Sequence, residues 1–265
     1  MSTPDPAVLY HRDDTIGVVT FNRPDNRNSM TPEVLDAFVR VIDEVKSDGQ
    51  LRCVVITGNG HCFSAGADFR SVIQRSDDDR KRQANERSFA MYTPFLSVLD
   101  IEVPVLAALN GHAVGGGFGL ALACDIRIGH KGSKYGANFT RLGLSSGMAI
   151  SYLLPRLIGV SQAAELIFTG RLILGEVAER LGLLSAAVEA DEVLPRTMEL
   201  AREIAGNAPL AVRLTKRTLY HGLDWRPREA AWREAYDQAI TVATRDAREG
   251  IDALLSKRTP EFTGE

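Results

Sequence analysis

The stretch that most limits how this chain can fold is Gly111-His112-Ala113-Val114-Gly115-Gly116-Gly117-Phe118-Gly119-Leu120-Ala121-Leu122-Ala123-Cys124-Asp125. Ahead of it, residues 103–109 form an apolar run bounded by Pro104 and Asn110-Gly111, which reads as a buried strand. Behind the three glycines, residues 118–123 have the apolar density of a buried helix. Glycine lets a ligand atom come within hydrogen-bond distance of the backbone. N–H groups at a helix start, at the positive end of the helix dipole, suit an anion or a developing oxyanion. An isolated Gly-Gly-Gly would read as a tight turn that packs a helix on a strand; a second loop upstream shifts the balance.

That loop is Phe63-Ser64-Ala65-Gly66-Ala67-Asp68-Phe69, directly after the strand-like, β-branched run Cys53-Val54-Val55-Ile56-Thr57-Gly58. Two strand ends thus lead into small-residue loops, and together they could aim two backbone N–H groups at one carbonyl oxygen. Further strands are expected at 8–11, 15–21 and 124–130, with a helix over 31–46 started by Thr31-Pro32-Glu33 as N-cap, N1 proline and first-turn acid. A helix-like stretch spans 70–99 and offers Gln74, Glu86 and Tyr92; the charge run 76–82 reads as an exposed loop entering it. This alternation argues for a layered α/β core with right-handed crossovers. Beyond Leu142 the pattern turns helical, over 148–157, 161–169, 176–181, 192–206, 210–222 and 228–256, the last broken near Thr244, with a short strand at 185–188. Trp225, Trp232 and Tyr236 read as interface or core aromatics, with the core favoured. No internal repeat is visible.

The two loops together resemble the crotonase family, the enoyl-CoA hydratase/isomerase superfamily, whose signature is an AGAD-type loop and, about fifty residues on, an N-G-x-A-x-G-G-G turn with a helix ending in C-D. Other landmarks agree in order. Phe21-Asn22-Arg23-Pro24-Asp25-Asn26-Arg27-Asn28-Ser29-Met30 is similar to the N-terminal NRP…N segment, and Tyr135-Gly136 through Gly143 to the F-G-x-P-E-x-x-L-G segment. Leu153-Leu154-Pro155-Arg156-Leu157-Ile158-Gly159 and Leu166-Ile167-Phe168-Thr169-Gly170-Arg171 match the helical landmarks that follow. The resemblance implies an α/β crotonase-type spiral of ββα repeats. It also implies a core over 1–200 that carries an acyl-CoA site, and a C-terminal helical trimerisation and lid region over 201–265.

It further implies that a thioester carbonyl sits between the amides of Ala67 and Gly116. Removing or adding a proton at the α-carbon puts negative charge on that oxygen, and losing one pre-aimed donor costs roughly 3–4 kcal/mol. The side chains depart from the pattern. Hydratases of the family carry a glutamate two residues after the third glycine and another in the F-G-x-P-E segment; here these positions are Gly119 and Phe139. Hydration needs one group to activate water and another to protonate the α-carbon, and neither residue can do either. The loop Gly143-Leu144-Ser145-Ser146-Gly147-Met148, where some members place an aspartate, contains no carboxylate. Asn138, Thr140, Arg141, Ser145 and Ser146 remain as polar pocket candidates, and a serine without a base is a poor nucleophile. His112 reads as a structural hydrogen bond in its turn, and Asp68 and Asp125 as backbone ties.

For coenzyme A the resemblance points to Ala65 and to the cations Arg23, Arg27, Arg70 and Lys257, since phosphates call for cationic groups. No cofactor is expected beyond the coenzyme A thioester as substrate or ligand. Three readings stay open. One is an acyl-CoA enzyme with unconventional side chains (decarboxylase, hydrolase, isomerase or atypical lyase). The others are a non-catalytic acyl-CoA binder and an ordinary enoyl-CoA hydratase with relocated acid and base. A net charge of −3 argues against a nucleic-acid surface. No apolar run approaches the ~20 residues that span a bilayer. The odd cysteines Cys53, Cys62 and Cys124 read as buried reduced thiols in a cytoplasmic protein, expected as a homotrimer or hexamer.

Overall fold

Alternating side chains along the early strands build the centre of the molecule. The computed structural model describes residues 5–68 and 83–265. In chain order come β1 (Val8–Asp13), β2 (Ile16–Phe21), α1 (Pro32–Ser47), β3 (Cys53–Gly58), β4 (Cys62–Ser64) and α2 (Ala84–Leu96). Next are β5 (Val105–Leu109), β6 (His112–Val114), α3 (Gly116–Ala123), β7 (Ile126–His130), β8 (Lys134–Gly136), α4 (Ile150–Ile158) and α5 (Val160–Thr169). The chain continues through β9 (Ile173–Leu174), α6 (Gly175–Arg180), β10 (Ala186–Val188), α7 (Val193–Ala205), α8 (Pro209–Gly222), α9 (Pro227–Thr241) and α10 (Arg245–Leu255).

A six-stranded sheet runs β1-β2-β3-β5-β7-β10, parallel except for the β1–β2 hairpin, and a four-stranded sheet runs β4-β6-β8-β9. Each of β3, β5 and β7 lies in the large sheet, and the strand after it crosses into the small one. This is the spiral expected from the family resemblance. The repeat is structural: the small-sheet strands are too short to leave a sequence period.

Period-2 alternation divides the core. Cys53, Val55, Leu106 and Ala108 face Val193, Met198, Ala201 and Ala205 of α7. Val54, Ile56, Ala107 and Leu109 face the other way, into the cluster with α1, α2 and α3. There Phe21 stacks on Phe38 at 5.3 Å between ring centres, and Phe95 meets Phe38 edge-on at 5.1 Å. The expected boundary at residue 200 falls inside α7, because this helix covers one face of the large sheet and cannot be parted from it.

Three expectations are corrected. The strand expected over 124–130 starts at Ile126, because Asp125 closes α3: its N–H donates to Val105 O and its carboxylate accepts the Val105 N–H. The helix expected over 148–157 starts at Ile150, because Met148 and Ala149 are left-handed, with φ of 57° and 54°. Trp232 and Tyr236 are on the surface rather than in the core, 80% and 58% exposed. Among the described residues no helix is long and apolar enough to cross a membrane.

Candidate functional site

The segment 22–30 splints the first loop. Asn28 is buried and left-handed (φ 51°), a conformation asparagine tolerates better than most residues. Its amide donates to Cys62 O at 2.7 Å and Asn59 O at 3.1 Å, and its Oδ1 accepts the Arg23 N–H at 2.8 Å. Ser64 Oγ donates to Asn28 O and accepts the Gly66 N–H. Ala65 N–H donates to Arg27 O, Met30 N–H donates to Gly66 O, and Ala67 lies opposite Met30 in a single parallel bridge. The loop is therefore fixed through its main chain and needs no particular side chain at 65 or 67.

The glycine turn abuts this loop. Gly115 caps α3 with φ 56° and ψ −118°, a region open to glycine, and its N–H donates to Gly136 O at 3.0 Å. A methyl group on Gly66 would lie 2.6 Å from Val114 O and 2.7 Å from the Gly116 nitrogen. One on Gly116 would run into Met30 Sδ, and one on Gly117 into Ser64 O. The backbones thus touch, and they do so because the residues between them lack side chains. Ala67 follows Gly66, so its N–H and that of Gly116 flank the contact. Among the described residues neither N–H donates to a protein acceptor. Gly116 also opens α3, whose residues are all buried and whose dipole favours negative charge at that end.

Around the turn the side chains are apolar or neutral. A side chain at Gly119 would overlap Met148 Cβ, so buried Met148 fills the space where a residue at 119 would project. The Phe139 ring and Asn138 Oδ1 would lie 3.9 Å and 3.6 Å from a methyl group on Gly115. Phe139 opens a short 3-10 turn, Phe139–Leu142, which Thr140 and Arg141 clip to α5 by donating to Ile167 O and Thr169 O. Arg141 is thereby directed to the helix end. Ser145 is exposed; Ser146 Oγ is buried with no hydrogen-bond partner. The structure places Met148 beside Gly119, and Asn138 and Phe139 beside Gly115. Met30 and Met148 were not legible as site residues, because an apolar residue outside a periodic pattern carries no signal of its own.

Of the coenzyme A candidates, Arg27 and Ala65 are joined by a backbone hydrogen bond, with Arg27 exposed. Arg23 is directed elsewhere: its guanidinium pairs with Glu33 and donates to Asp5 O, Pro6 O and Asn22 O. Lys257 is exposed on the left-handed turn that ends α10 (φ 52°). Arg70 and Gln74 lie outside the described residues, as does the charge run 76–82. Glu86 caps α2, accepting the Gln83 N–H.

His112 Nδ1 accepts the Lys134 N–H at 2.9 Å, tying β6 to β8; burial, with His61, Lys134 and His130 nearby, depresses its pKa. Asp125 pairs with Lys216 Nζ at 2.8 Å, both side chains largely buried. Burial pushes the thiols of Cys53 and Cys124 up to about 12 and that of Cys62 to about 11, so none is poised as a nucleophile.

Comparison with known proteins gives a consistent result. The family model for enoyl-CoA hydratase/isomerase matches residues 11–265. YngF of Bacillus subtilis is 36% identical over 264 residues, 98% of this chain and 99% of that protein. The short-chain-enoyl-CoA hydratase of Clostridium acetobutylicum is 33% identical over 257 residues, 96% of each chain. The crystal structure of an enoyl-CoA hydratase from Bacillus anthracis superposes with a TM-score of 0.91 at 31% identity, covering 98% of this chain and 100% of that one.

Proposed function

The chain belongs to the enoyl-CoA hydratase/isomerase family, and from that premise we propose that it holds an acyl-CoA thioester with the carbonyl oxygen between the N–H groups of Ala67 and Gly116, stabilising an enolate. The observation that carries this reading is the contact of the two loops at Gly66 and Gly116, which leaves both N–H groups without a protein acceptor among the described residues. Charge developing on the oxygen would meet two donors and the positive end of α3, and each such donor is worth ~10²–10³ in rate.

The reaction is not conventional hydration. Gly119 and Phe139 hold no proton to give or take; Met148 fills the space beside Gly119, and the Phe139 ring lies near Gly115. Decarboxylation is the simplest alternative: the electron pair of the breaking carbon–carboxylate bond becomes the enolate, carbon dioxide leaves, and the α-carbon later takes a proton from solvent. No general base is needed to form the enolate. A second reading, a non-catalytic acyl-CoA binder, is favoured by the same neutral lining of Asn138, Phe139 and Met148. Arg27 and Ala65 would face the nucleotide, with Arg70 and Lys257 as further phosphate contacts. The exposed apolar residues of the C-terminal helices support assembly into trimers or hexamers.

The test is mass spectrometry of the protein in D₂O with crotonyl-, malonyl- and butyryl-CoA. Carbon dioxide loss from malonyl-CoA with α-deuterium in the product supports the enolate reading. Retention of thioesters without any change would favour the binder, and rapid hydration of crotonyl-CoA would overturn the argument from Gly119 and Phe139. No binding of any thioester would overturn both readings.

A further inference from the structure

A single side chain closes α3 at the end away from the glycine turn. Arg127 of β7 is buried, and its guanidinium donates to Cys124 O at 2.6 Å, to Leu183 O at 2.8 Å, and to Ala121 O and Asp125 O at 3.4 Å. The Cys124 thiol covers Leu120 O at 3.5 Å. A helix leaves its last carbonyls without partners, and here a cation takes them. Burying a guanidinium is costly unless its charge is compensated. The other charges at this end cancel: Asp125 pairs with Lys216 at 2.8 Å, while burial holds the Cys124 thiol and the Tyr220 phenol neutral. The groups that accept from Arg127 are main-chain carbonyls, which carry no charge. The cluster therefore keeps one net positive charge inside the molecule. As α3 has eight residues, that charge stands ~12 Å along the helix from the Gly116 N–H.

We propose that Arg127 is a positioning residue for the enolate site: it holds α3 by its far end and places there the buried positive charge that an anion at Gly116 balances. At an effective dielectric constant of ~20, a unit charge ~12 Å away shifts an ionisation about tenfold. A thioester carbonyl is neutral and gains little from that field. The enolate carries a full charge and gains all of it, and a gain confined to the charged species is the kind that speeds a reaction. Tying down the last carbonyls also keeps a helix of only two turns in place, so that its first N–H stays aimed. This inference rests on the acyl-CoA reading above and adds to it a residue that acts without touching the thioester.

The experiment uses acetoacetyl-CoA, whose acidic α-carbon lets its enolate be followed by near-ultraviolet absorbance while bound to the full-length protein at fixed pH. Arg127→Met removes a positive charge from the end of α3, and Asp125→Asn removes a negative one from the same place. Both loosen the packing there, so damage alone would move the bound ligand's keto–enolate equilibrium in one direction. Charge moves it in two: Arg127→Met should lower the equilibrium constant about tenfold, and Asp125→Asn should raise it. Shifts of the same sign, or no shift in either variant, overturn this inference and leave thioester binding intact. Should Arg127→Met fail to fold, a rise in Asp125→Asn alone supports the inference, and a fall or no change overturns it. If the unsubstituted protein binds acetoacetyl-CoA with no more enolate than in free solution, the enolate reading beneath it is overturned. Failure to bind acetoacetyl-CoA at all overturns the acyl-CoA reading itself.

Discussion

At the scale of single residues, the site is defined more by absent side chains than by present ones. Gly66, Gly116 and Gly117 allow two backbones to meet, and Gly119 leaves room that Met148 takes. Gly119→Ala should therefore destabilise by ~1–3 kcal/mol through overpacking. Met148→Ala cannot relieve this, since the overlap is with Cβ; Met148→Gly can, and glycine suits the left-handed backbone there. Urea denaturation of both single variants and the double should give a favourable coupling above ~1 kcal/mol, and additive losses would contradict the packing. The sequence revealed the loops and the two missing glutamates, because glycine and a lost carboxylate can be read at a single position. It could not reveal Met148 or the unpaired Ser146 hydroxyl, since these are properties of contacts between segments.

Elements depend on pairs that sequence spacing does not announce. The strands of the large sheet were legible from apolar runs, and the cap of α1 from Thr31, which accepts the N–H of Val34; Thr244, legible only as a break, proves to cap α10 by accepting the N–H of Ala247. The short strands β4, β6, β8 and β9 were not: two or three residues cannot display a period. Nor was the anchoring of α8 legible. Lys216 pairs with Asp125 and donates to Val103 O, so the helix is tied to the strand end that leads into β5 and to the end of α3. Lys216→Met should cost ~3–5 kcal/mol, since it leaves a buried carboxylate without its cation. Adding Asp125→Asn to that variant should recover part of the loss in the same denaturation assay. A loss below 1 kcal/mol for the single variant would mean that the pair is solvated.

At the scale of the whole molecule, several large apolar side chains of the later helices stand in solvent rather than in the core. Trp232, Phe168, Leu254 and Leu255 are each at least 76% exposed. Sedimentation at micromolar concentration should report a trimer or hexamer, and Trp232→Glu with Leu254→Glu should shift it toward monomer. A monomer throughout would contradict the proposed assembly. The parallel pairing of β3 with β5, Val54 opposite Val105 and Ile56 opposite Ala107, bears on how the molecule comes into being. These partners are far apart in the chain, and a loop of that length must close before their contacts repay its entropy. Until that closure the Gly66 and Gly116 loops are strangers, so a partly folded chain has no hole for a ligand to enter. Ligand can then speed maturation only after the sheet has closed; before that, it meets two unrelated turns.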